Sequence, residues 1–487
     1  MGVLLVAPWG DPSGWVKARY TLDGDSVESF TSLALLYKAL EPDGVVVYAS
    51  DTLAGRVPRP TIADSLGAGY DAGITGPVRE WVKGFSCGLP LDVVVVPGVI
   101  GGSSVVVEGS ARDYYYLMLY DLVGRVAGGG FSGIVFDATH GINYMTSMGL
   151  QAAREAAAIL GVARGGRAVL EVYNSSPVVL DSTVRGACGR SPGMPCMPRD
   201  AGACQSVMVE APVHRVSREE LGGSYLVSTL DTILSGVGSS VPRVLSATRF
   251  GGREAGESIR GILEGVRGGL REALLVVRLA RYGLVPELVY RLHSLGDPVY
   301  VFERAILSVL EAWRELVSVD LVGDRVVVHR GARLEEGFRI LVYALAVSKI
   351  YKSLEDGASL SLGRAWSMAE RLYSRDSIMG VVQAREKEKL ERKLRRLIEK
   401  TGGEITGWIP LNLVHSEDRN RCKEPRDCGV FKRDLIAHGG WHSCIVEVHP
   451  VYNRGELDFD ASMFRLRGDA ACKREGRLLS VWDAIGV

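Results

Sequence analysis

Short valine-rich runs punctuate the first 185 residues of this chain and constrain its fold more than any other feature. The runs occupy residues 3–7, 45–49, 93–96, 133–136 and 168–172. Segments of helical character, such as residues 29–40 and 112–127, separate them. Strands that are apolar throughout and alternate with helices are typical of a parallel sheet with both faces covered. The sequence therefore predicts a doubly wound α/β sheet in this region.

The fourth run ends most abruptly in polar residues. Residues 137–143 read Asp-Ala-Thr-His-Gly-Ile-Asn, and helix-forming sequence follows from 147 to 160. In doubly wound sheets, ligands bind at the carboxyl edge because loops and helix N-termini converge there. Ordinary turns also use Asp, Gly and Asn, but their density favours a site for a phosphate-bearing ligand. The groups suited to phosphate and adenine are the amides near Gly141 and the side chains of Thr139, His140 and Asn143.

Size and charge narrow the class of protein. A chain of 487 residues predicts two or three domains. Its 57 Lys and Arg residues balance its 57 Asp and Glu residues, so any polyanion site must be a local patch. The N-terminus has no basic segment of the signal-peptide kind, and no apolar run reaches the roughly 18 residues of a membrane span. We therefore expect a cytoplasmic protein without a membrane partner.

The second half of the chain changes in character. Residues 185–204 are rich in Gly, Pro and Cys and predict an exposed irregular insertion. Residues 205–216 predict one strand or one arm of a hairpin, and helical sequence dominates from about residue 253. A small hairpin is expected around Gly323-Asp324. Residues 385–400 predict a charged helix whose polar side is a solvated face.

A second cluster of polar residues lies near the C-terminus, where Arg433 precedes His438 by five positions. The segment predicts a short helix that ends in the pair Gly439-Gly440, which is typical of a C-cap. An Arg can hold a phosphodiester oxygen and stabilise transition-state charge. A His can move a proton to or from a ribose hydroxyl near neutral pH. The pair suffices for metal-free RNA cleavage that leaves a 2′,3′-cyclic phosphate.

The spacing of this pair is also consistent with a non-catalytic interpretation, in which both side chains simply face solvent. Five residues at about 100° each place the two side chains about 140° apart on an ideal helix. One chain alone therefore assembles the site poorly. A two-fold pairing of this helix across a dimer would bring two Arg and two His together.

The cysteines allow a rival interpretation of the same histidine. Eight cysteines are too sparse for a disulfide scaffold. The spacing of a candidate zinc site differs from that of common zinc sites; its members are Cys422, Cys428, His438 and His442. The two cysteines could equally form a disulfide before the Arg–His helix or remain thiols.

Together, the D-A-T-H-G-I-N loop of residues 137–143 and R-D-L-I-A-H at residues 433–438 resemble the CRISPR-associated CARF–HEPN ribonucleases of type III systems. The resemblance implies a multidomain α/β + α protein. Residues 1–215 would form a Rossmann-like CARF sensor domain with a mainly parallel sheet, and residues 301–487 an all-α HEPN ribonuclease domain. Between them, residues 216–300 would form a helical linker, where relatives often carry a helix-turn-helix-like segment.

The resemblance also implies roles for individual residues. The residues implied to bind a cyclic oligoadenylate are Asp137, Thr139, His140, Gly141 and Asn143, with Trp9, Gly10 and Asp11 at the end of the first strand and Gly98 and Ser103 after the third. The catalytic pair would be Arg433 and His438. Asp434 stands where the family often has Asn, and we expect it to orient Arg433 or His438. No metal is implied.

The implied function is an endoribonuclease that cuts single-stranded RNA when its activator is bound. Cyclic tetra-adenylate is favoured over the hexa-adenylate because its two-fold symmetry matches a homodimer or a higher even oligomer. The CARF pocket could also degrade the activator slowly. Two alternatives stay open: a CARF transcription regulator that binds duplex DNA without nuclease activity, and a zinc-stabilised structural protein.

Overall fold

The computed structural model describes most of the chain. The described residues are 2–58, 61–62, 69–102, 104–178, 180–237, 240–323, 325–354, 360–375, 377–415, 427–467, 471–474 and 477–480. Within these ranges, no helix is long and apolar enough to cross a bilayer.

Strands occur along the whole chain. They are β1 (Gly2–Trp9), β2 (Ala18–Leu22), β3 (Asp25–Ser29), β4 (Gly44–Ser50), β5 (Asp92–Val96), β6 (Ile100–Gly101), β7 (Val105–Glu108), β8 (Phe131–Asp137), β9 (Arg167–Ser175), β10 (Arg190–Ser191), β11 (Met194–Pro198), β12 (Glu210–Gly222), β13 (Leu245–Ala247), β14 (Val317–Val322), β15 (Arg325–Arg330), β16 (Ala332–Leu334), β17 (Ile409–Pro410), β18 (Val446–Asn453), β19 (Glu456–Leu466), β20 (Ala471–Arg474) and β21 (Arg477–Ser480).

Helices separate the strands and dominate the middle of the chain. They are α1 (Leu33–Leu40), α2 (Gly76–Lys83), α3 (Ala111–Val126), α4 (Asn143–Ala163), α5 (Ser182–Cys188), α6 (Ala201–Val207), α7 (Gly223–Val237), α8 (Gly252–Tyr282), α9 (Val285–Ser294), α10 (Pro298–Glu315), α11 (Glu336–Ser353), α12 (Leu362–Leu372), α13 (Ile378–Thr401), α14 (Leu411–His415) and α15 (Cys428–Ala437). Short 3-10 turns cover Pro12–Gly14 and Asp51–Arg56, and a π-helical turn, Asp71–Thr75, precedes α2.

An eight-stranded sheet forms the core of the N-terminal region, in the order β3-β2-β12-β9-β8-β1-β4-β5. The five strands predicted from valine-rich runs are β1, β4, β5, β8 and β9, and they pair with one another in parallel. β-Branched side chains favour such strands because they pack well on a pleated surface. Since the five strands share one direction, their polar carboxyl ends meet at one edge of the sheet. Helix α4 packs along β8, β9 and β12 and starts at this edge.

The boundary predicted at residues 215 and 216 is wrong. Strand β12 runs without interruption from Glu210 to Gly222, antiparallel to β9, so both sides of that boundary belong to one sheet. The strand predicted over residues 205–216 also starts later, because helix α6 extends to Val207. The length of β12 is set by its hydrogen bonds to β9. Because β9 is distant in sequence, local patterns do not indicate where β12 ends.

The prediction of an all-α C-terminal domain is also wrong. Strands β18 and β19 form an antiparallel hairpin, with β17 on its edge. Along β18, more buried and more exposed residues alternate over Val446–Val451, the period of a strand with one covered face. The rest of this region is largely helical. In the predicted charged helix, α13, Leu390 and Leu394 face the core.

The hairpin predicted around Gly323 is confirmed, and it connects the two halves of the chain. Strands β14 and β15 pair antiparallel, with Val322 opposite Arg325. Asp324 lies outside the described residues. Strand β15 then pairs in parallel with β7 of the N-terminal region. A four-stranded sheet in the order β14-β15-β7-β6 therefore joins the second half of the chain to the first.

Candidate functional site

Asp137, at the end of β8, organises the predicted ligand loop from inside. Its Oδ1 atom accepts a hydrogen bond from the Thr139 amide at 3.0 Å, and its Oδ2 atom accepts one from the Ser32 hydroxyl at 2.7 Å. Burial raises the pKa of Asp137, and the bonds from Ser32 and Thr139 only partly oppose that shift. The carboxyl group thus stabilises the conformation of the loop from its buried side.

His140 lies close to the Asp137 carboxyl group, and its ring packs against other side chains of the protein. The ring packs at a tilt on Trp15, with centroids 4.1 Å apart. Its Nε2 atom accepts a hydrogen bond from the Ser32 amide and lies 3.3 Å from the Tyr20 hydroxyl. Burial, followed by the charge of Arg190, lowers the pKa of His140 to about 3. The imidazole is therefore neutral at physiological pH. It stabilises the loop by packing on Trp15 and by accepting a hydrogen bond at Nε2.

The loops after β1 and β8 approach each other at backbone distance. The Gly10 amide donates to the His140 carbonyl at 2.8 Å. A Cβ atom on Gly10 would lie 3.2 Å from that oxygen, and one on Gly141 only 2.2 Å from the Thr146 hydroxyl. Gly141 therefore leaves no room for a side chain, and a side chain at Gly10 would fit only if the β8 loop shifted by a few tenths of an ångström.

The loop after β1 carries the predicted residues Trp9 and Asp11. Trp9 is fully buried, edge-on to Trp15 with ring centroids 5.1 Å apart. Asp11 accepts from the Ser13 amide at 3.0 Å and pairs with Arg56 at 2.7 Å. Internal contacts thus hold this loop in a defined conformation against the β8 loop.

The third predicted loop brings a buried ion pair to the same edge. The Gly98 amide donates to Asp51 Oδ1 at 2.8 Å, and its carbonyl accepts from Arg330 at 2.7 Å. Arg330 in turn pairs with Asp51, and both side chains are fully buried. The sequence indicated Asp51 only as a polar residue after a strand, and no pattern in it indicated that Arg330 belongs to this edge. Ser103 lies outside the described residues.

Helix α4 presents its N-terminus at this edge. Its N-cap residue is Ile142, which supplies no side-chain hydrogen bond, and both Ile142 and Asn143 are exposed. Uncapped amides and the helix dipole favour an anion at such a position. Thr139 stands beside it, and its hydroxyl accepts from the Ser175 amide at 3.2 Å. The exposed part of the edge can therefore hold a phosphate group.

The segment predicted as an irregular insertion is ordered and covers the β1 loop. It contains α5, β10, β11 and α6, and disulfides join Cys188 to Cys204 and Cys87 to Cys196. Arg190 donates to the Pro12 carbonyl at 2.9 Å, and its guanidinium lies over the Phe30 ring. Two disulfides therefore fix this segment, although the sequence predicts too few cysteines for a fold built on a disulfide scaffold.

The predicted Arg–His helix exists, with the predicted end. Asp427 caps α15 by accepting from the amides of Gly429 and Val430. His438 is the C-cap residue, and Gly439 and Gly440 follow with φ angles of 56° and 88°. These angles are costly for residues with a side chain. Glycine therefore sets the point at which the helix stops.

The two candidate catalytic side chains differ in their exposure and in the contacts that hold them. Arg433 is exposed, while the His438 side chain is 44% exposed and fixed through one nitrogen. His438 Nδ1 lies 2.9 Å from Oε1 of Glu386, a buried residue of α13. Asp434, expected to orient the pair, is half-buried on the same helix. The sequence did not indicate Glu386, because it lies within a charged segment predicted to be solvated.

The zinc interpretation is wrong, because Cys428 forms a disulfide with Cys472 and has no thiolate for a metal. The alternative disulfide between Cys422 and Cys428 fails for the same reason, and Cys422 itself lies outside the described residues. His442 is buried against the Phe431 ring, and its Nδ1 accepts from the Cys444 amide. In the described ranges, no group of three or more His, Cys, Asp or Glu side chains could hold a metal.

Comparisons with known proteins find a match to the N-terminal region of the chain. Residues 4–177 match the family model described as CRISPR system endoribonuclease Csx1, CARF domain. A protein named CRISPR system endoribonuclease Csx1, from Methanocaldococcus jannaschii, is 32% identical over 189 residues. That match covers 37% of this chain and 38% of the relative, so the chain spans well under half the length of this relative.

A solved structure, Enterococcus italicus Csm6 bound to cyclic hexa-2'-fluoro-hexa-dAMP, also aligns with the chain. It is 12% identical, and the alignment covers 83% of this chain and 88% of that chain. Its TM-score is 0.25, a value too low to carry an argument about shared geometry.

Proposed function

We propose that this chain, whose residues 4–177 belong to the CARF-domain family of Csx1, is a CRISPR-associated endoribonuclease activated by a cyclic oligoadenylate. The single observation that carries this proposal is a pairing within one chain. A CARF domain stands at one end, and at the other a capped helix places Arg433 and a carboxylate-bound His438 near solvent.

The activator site is the carboxyl edge of the eight-stranded sheet. There the uncapped N-terminus of α4 can receive a phosphate, and the loop of Asp137 and His140 supplies a preformed wall. Cyclic tetra-adenylate is the favoured activator, because a ring with two-fold symmetry suits two copies of this edge in a homodimer.

The nuclease site consists of Arg433 and His438, with Asp434 beside them. The 2′-oxygen of a ribose attacks the adjacent phosphorus, and the bond from phosphorus to the 5′-oxygen breaks. The products are a 2′,3′-cyclic phosphate and a 5′-hydroxyl. His438 takes the proton of the 2′-hydroxyl or supplies one to the departing 5′-oxygen. Arg433 holds a non-bridging oxygen and stabilises the charge of the transition state.

A dimer completes this site. Arg433 and His438 are five positions apart on and just after α15, so they diverge by about 140° on an ideal helix. Two copies of the helix, related by a two-fold axis, bring the Arg of each subunit toward the His of the other.

The test uses labelled single-stranded RNA, a panel of cyclic tri-, tetra- and hexa-adenylate, and EDTA. We expect cleavage with cyclic tetra-adenylate in the presence of EDTA, and fragments that end in a 2′,3′-cyclic phosphate. The His438→Ala variant should bind the activator but lose cleavage. Retained cleavage in that variant would contradict the assignment of the site. Tight, sequence-specific binding to duplex DNA without cleavage would instead favour a transcription regulator.

A further inference from the structure

Helix α13 lies against the end of α15 and presents two buried polar side chains one turn apart, Gln383 and Glu386. Gln383 Nε2 donates to the Gly283 carbonyl at 2.7 Å and to the Gly439 carbonyl at 2.9 Å. Its Oε1 atom accepts from the Trp441 indole at 3.0 Å. Gln383 thereby fixes the glycine turn that follows His438.

Glu386 makes the second contact, to the imidazole itself. Its Oε1 atom lies 2.9 Å from His438 Nδ1, and its Oε2 atom lies 3.1 Å from Lys389 Nζ. Burial alone would raise the pKa of Glu386, but the hydrogen bonds from His438 and Lys389 and the charge of Lys389 outweigh it, so the pKa is lowered. Glu386 is therefore a carboxylate at neutral pH.

A carboxylate can only accept, so the proton between the two groups belongs to Nδ1 of His438. This leaves Nε2 as the nitrogen that exchanges protons with a substrate. A buried, oriented carboxylate also stabilises an imidazolium that forms beside it. The Lys389 ammonium holds the other carboxylate oxygen, so the carboxylate cannot turn away from the ring without losing a second bond.

We propose that Glu386 is a positioning residue that acts through His438, holding its tautomer and ring orientation for the cleavage step. This inference rests on the proposed nuclease function, since it assigns a task to a residue that itself reaches no substrate atom. The alternative role is structural, in which Glu386 merely links α13 to α15 and its charge is irrelevant to the reaction.

The test compares the full-length Glu386→Gln and Glu386→Asp variants with wild type under activating conditions. Glu386→Gln keeps the size of the side chain and removes its charge. We expect its kcat to fall roughly 10- to 100-fold, the range seen when an outer partner of a functional His is lost, with KM for RNA unchanged. Glu386→Asp should retain more activity than Glu386→Gln. The matched control is Glu391→Gln, which removes a carboxylate paired with Arg395 on the same helix, and its kcat should equal that of wild type.

A second measurement does not depend on activity. In ¹⁵N-histidine-labelled protein, the His438 signal should show the Nδ1-protonated form, and its share should fall in Glu386→Gln. A kcat within about twofold of wild type, a kcat for the Asp variant below that of the Gln variant, or an unchanged tautomer would overturn the proposal. If the wild-type protein cleaves no RNA with any activator, the proposed function fails, and the tautomer measurement still decides the role of Glu386.

Discussion

Arg330 and Asp51 are 279 residues apart in the chain and form an ion pair in which neither side chain is exposed. Asp51 also accepts from the Gly98 amide at 2.8 Å and from the Tyr70 hydroxyl at 2.6 Å. The pair thereby ties strand β15 to two loops at the carboxyl edge of the sheet, where we place the activator. The carboxyl edge of the sheet and strand β15 are therefore joined directly by this pair.

The first prediction concerns the stability that depends on this pair. Removing one partner of a buried ion pair leaves an uncompensated charge, so Arg330→Met or Asp51→Ala should each lower the free energy of unfolding by about 3–5 kcal/mol. The double variant should lose less than the sum of the two. Urea unfolding followed by circular dichroism measures all three losses. Additive losses, or losses below about 1 kcal/mol, would contradict the pairing.

The second prediction concerns the role of His140 at the proposed activator site. Its ring forms part of the wall of that site, so His140→Ala should raise the activator concentration for half-maximal cleavage about tenfold or more, a loss of about 1.4 kcal/mol. Because burial lowers its pKa to about 3, His140 should add no pH dependence to activator binding between about pH 5 and 8. A titration of RNA cleavage against activator concentration checks the first point, and binding measured by calorimetry at several pH values checks the second.

A matched control for His140 is His293→Ala, since His293 is exposed near the end of α9. This variant should respond to the activator like wild type. An unchanged activation curve for His140→Ala would remove the β8 loop from the activator site.

The third prediction concerns Glu287, whose carboxyl group is fully buried near Gly440. Within the described residues neither of its oxygens has a hydrogen-bond partner, and burial raises its pKa to about 8. In the unfolded chain the pKa is about 4.3. Between these values the folded state holds a proton that the unfolded state lacks, so stability falls as pH rises, by up to about 1.4 kcal/mol per unit.

Glu287→Gln removes this titration. Its free energy of unfolding, measured by urea at pH 5, 6 and 7, should decline less steeply with pH than that of wild type. Parallel slopes for the two proteins would show that Glu287 is not protonated in the folded state.

The fourth prediction concerns the disulfide between Cys428 and Cys472, which joins the first residue of α15 to a strand 44 positions away. By loop-closure entropy, a cross-link over this separation is worth about 4 kcal/mol. The double variant Cys428→Ser, Cys472→Ser should unfold at a correspondingly lower urea concentration. It should also cleave RNA less well, because α15 carries Arg433. The double serine variant of Cys188 and Cys204, over a separation of 16, should lose about 3 kcal/mol and keep its cleavage chemistry. Equal cleavage by wild type and the Cys428 variant would contradict the role of this tether.

Local patterns were enough to predict the strands β1, β4, β5, β8 and β9 and the helix that carries Arg433. Short apolar runs, helix spacing and the glycine pair at 439–440 are properties of neighbouring residues, and they act before the chain is compact. The shared edge of the parallel strands follows from the same patterns, because alternating strands and helices leave few topologies.

Tertiary structure alone decided which distant side chains meet. Glu386 reaches His438 across 52 positions, and Arg330 reaches Asp51 across 279. Neither carboxylate nor cation carries a local signal of its partner, since a charged residue in sequence is most often solvated. Only packing removes water from these groups, and a buried charge is stable there only when its partner is in place.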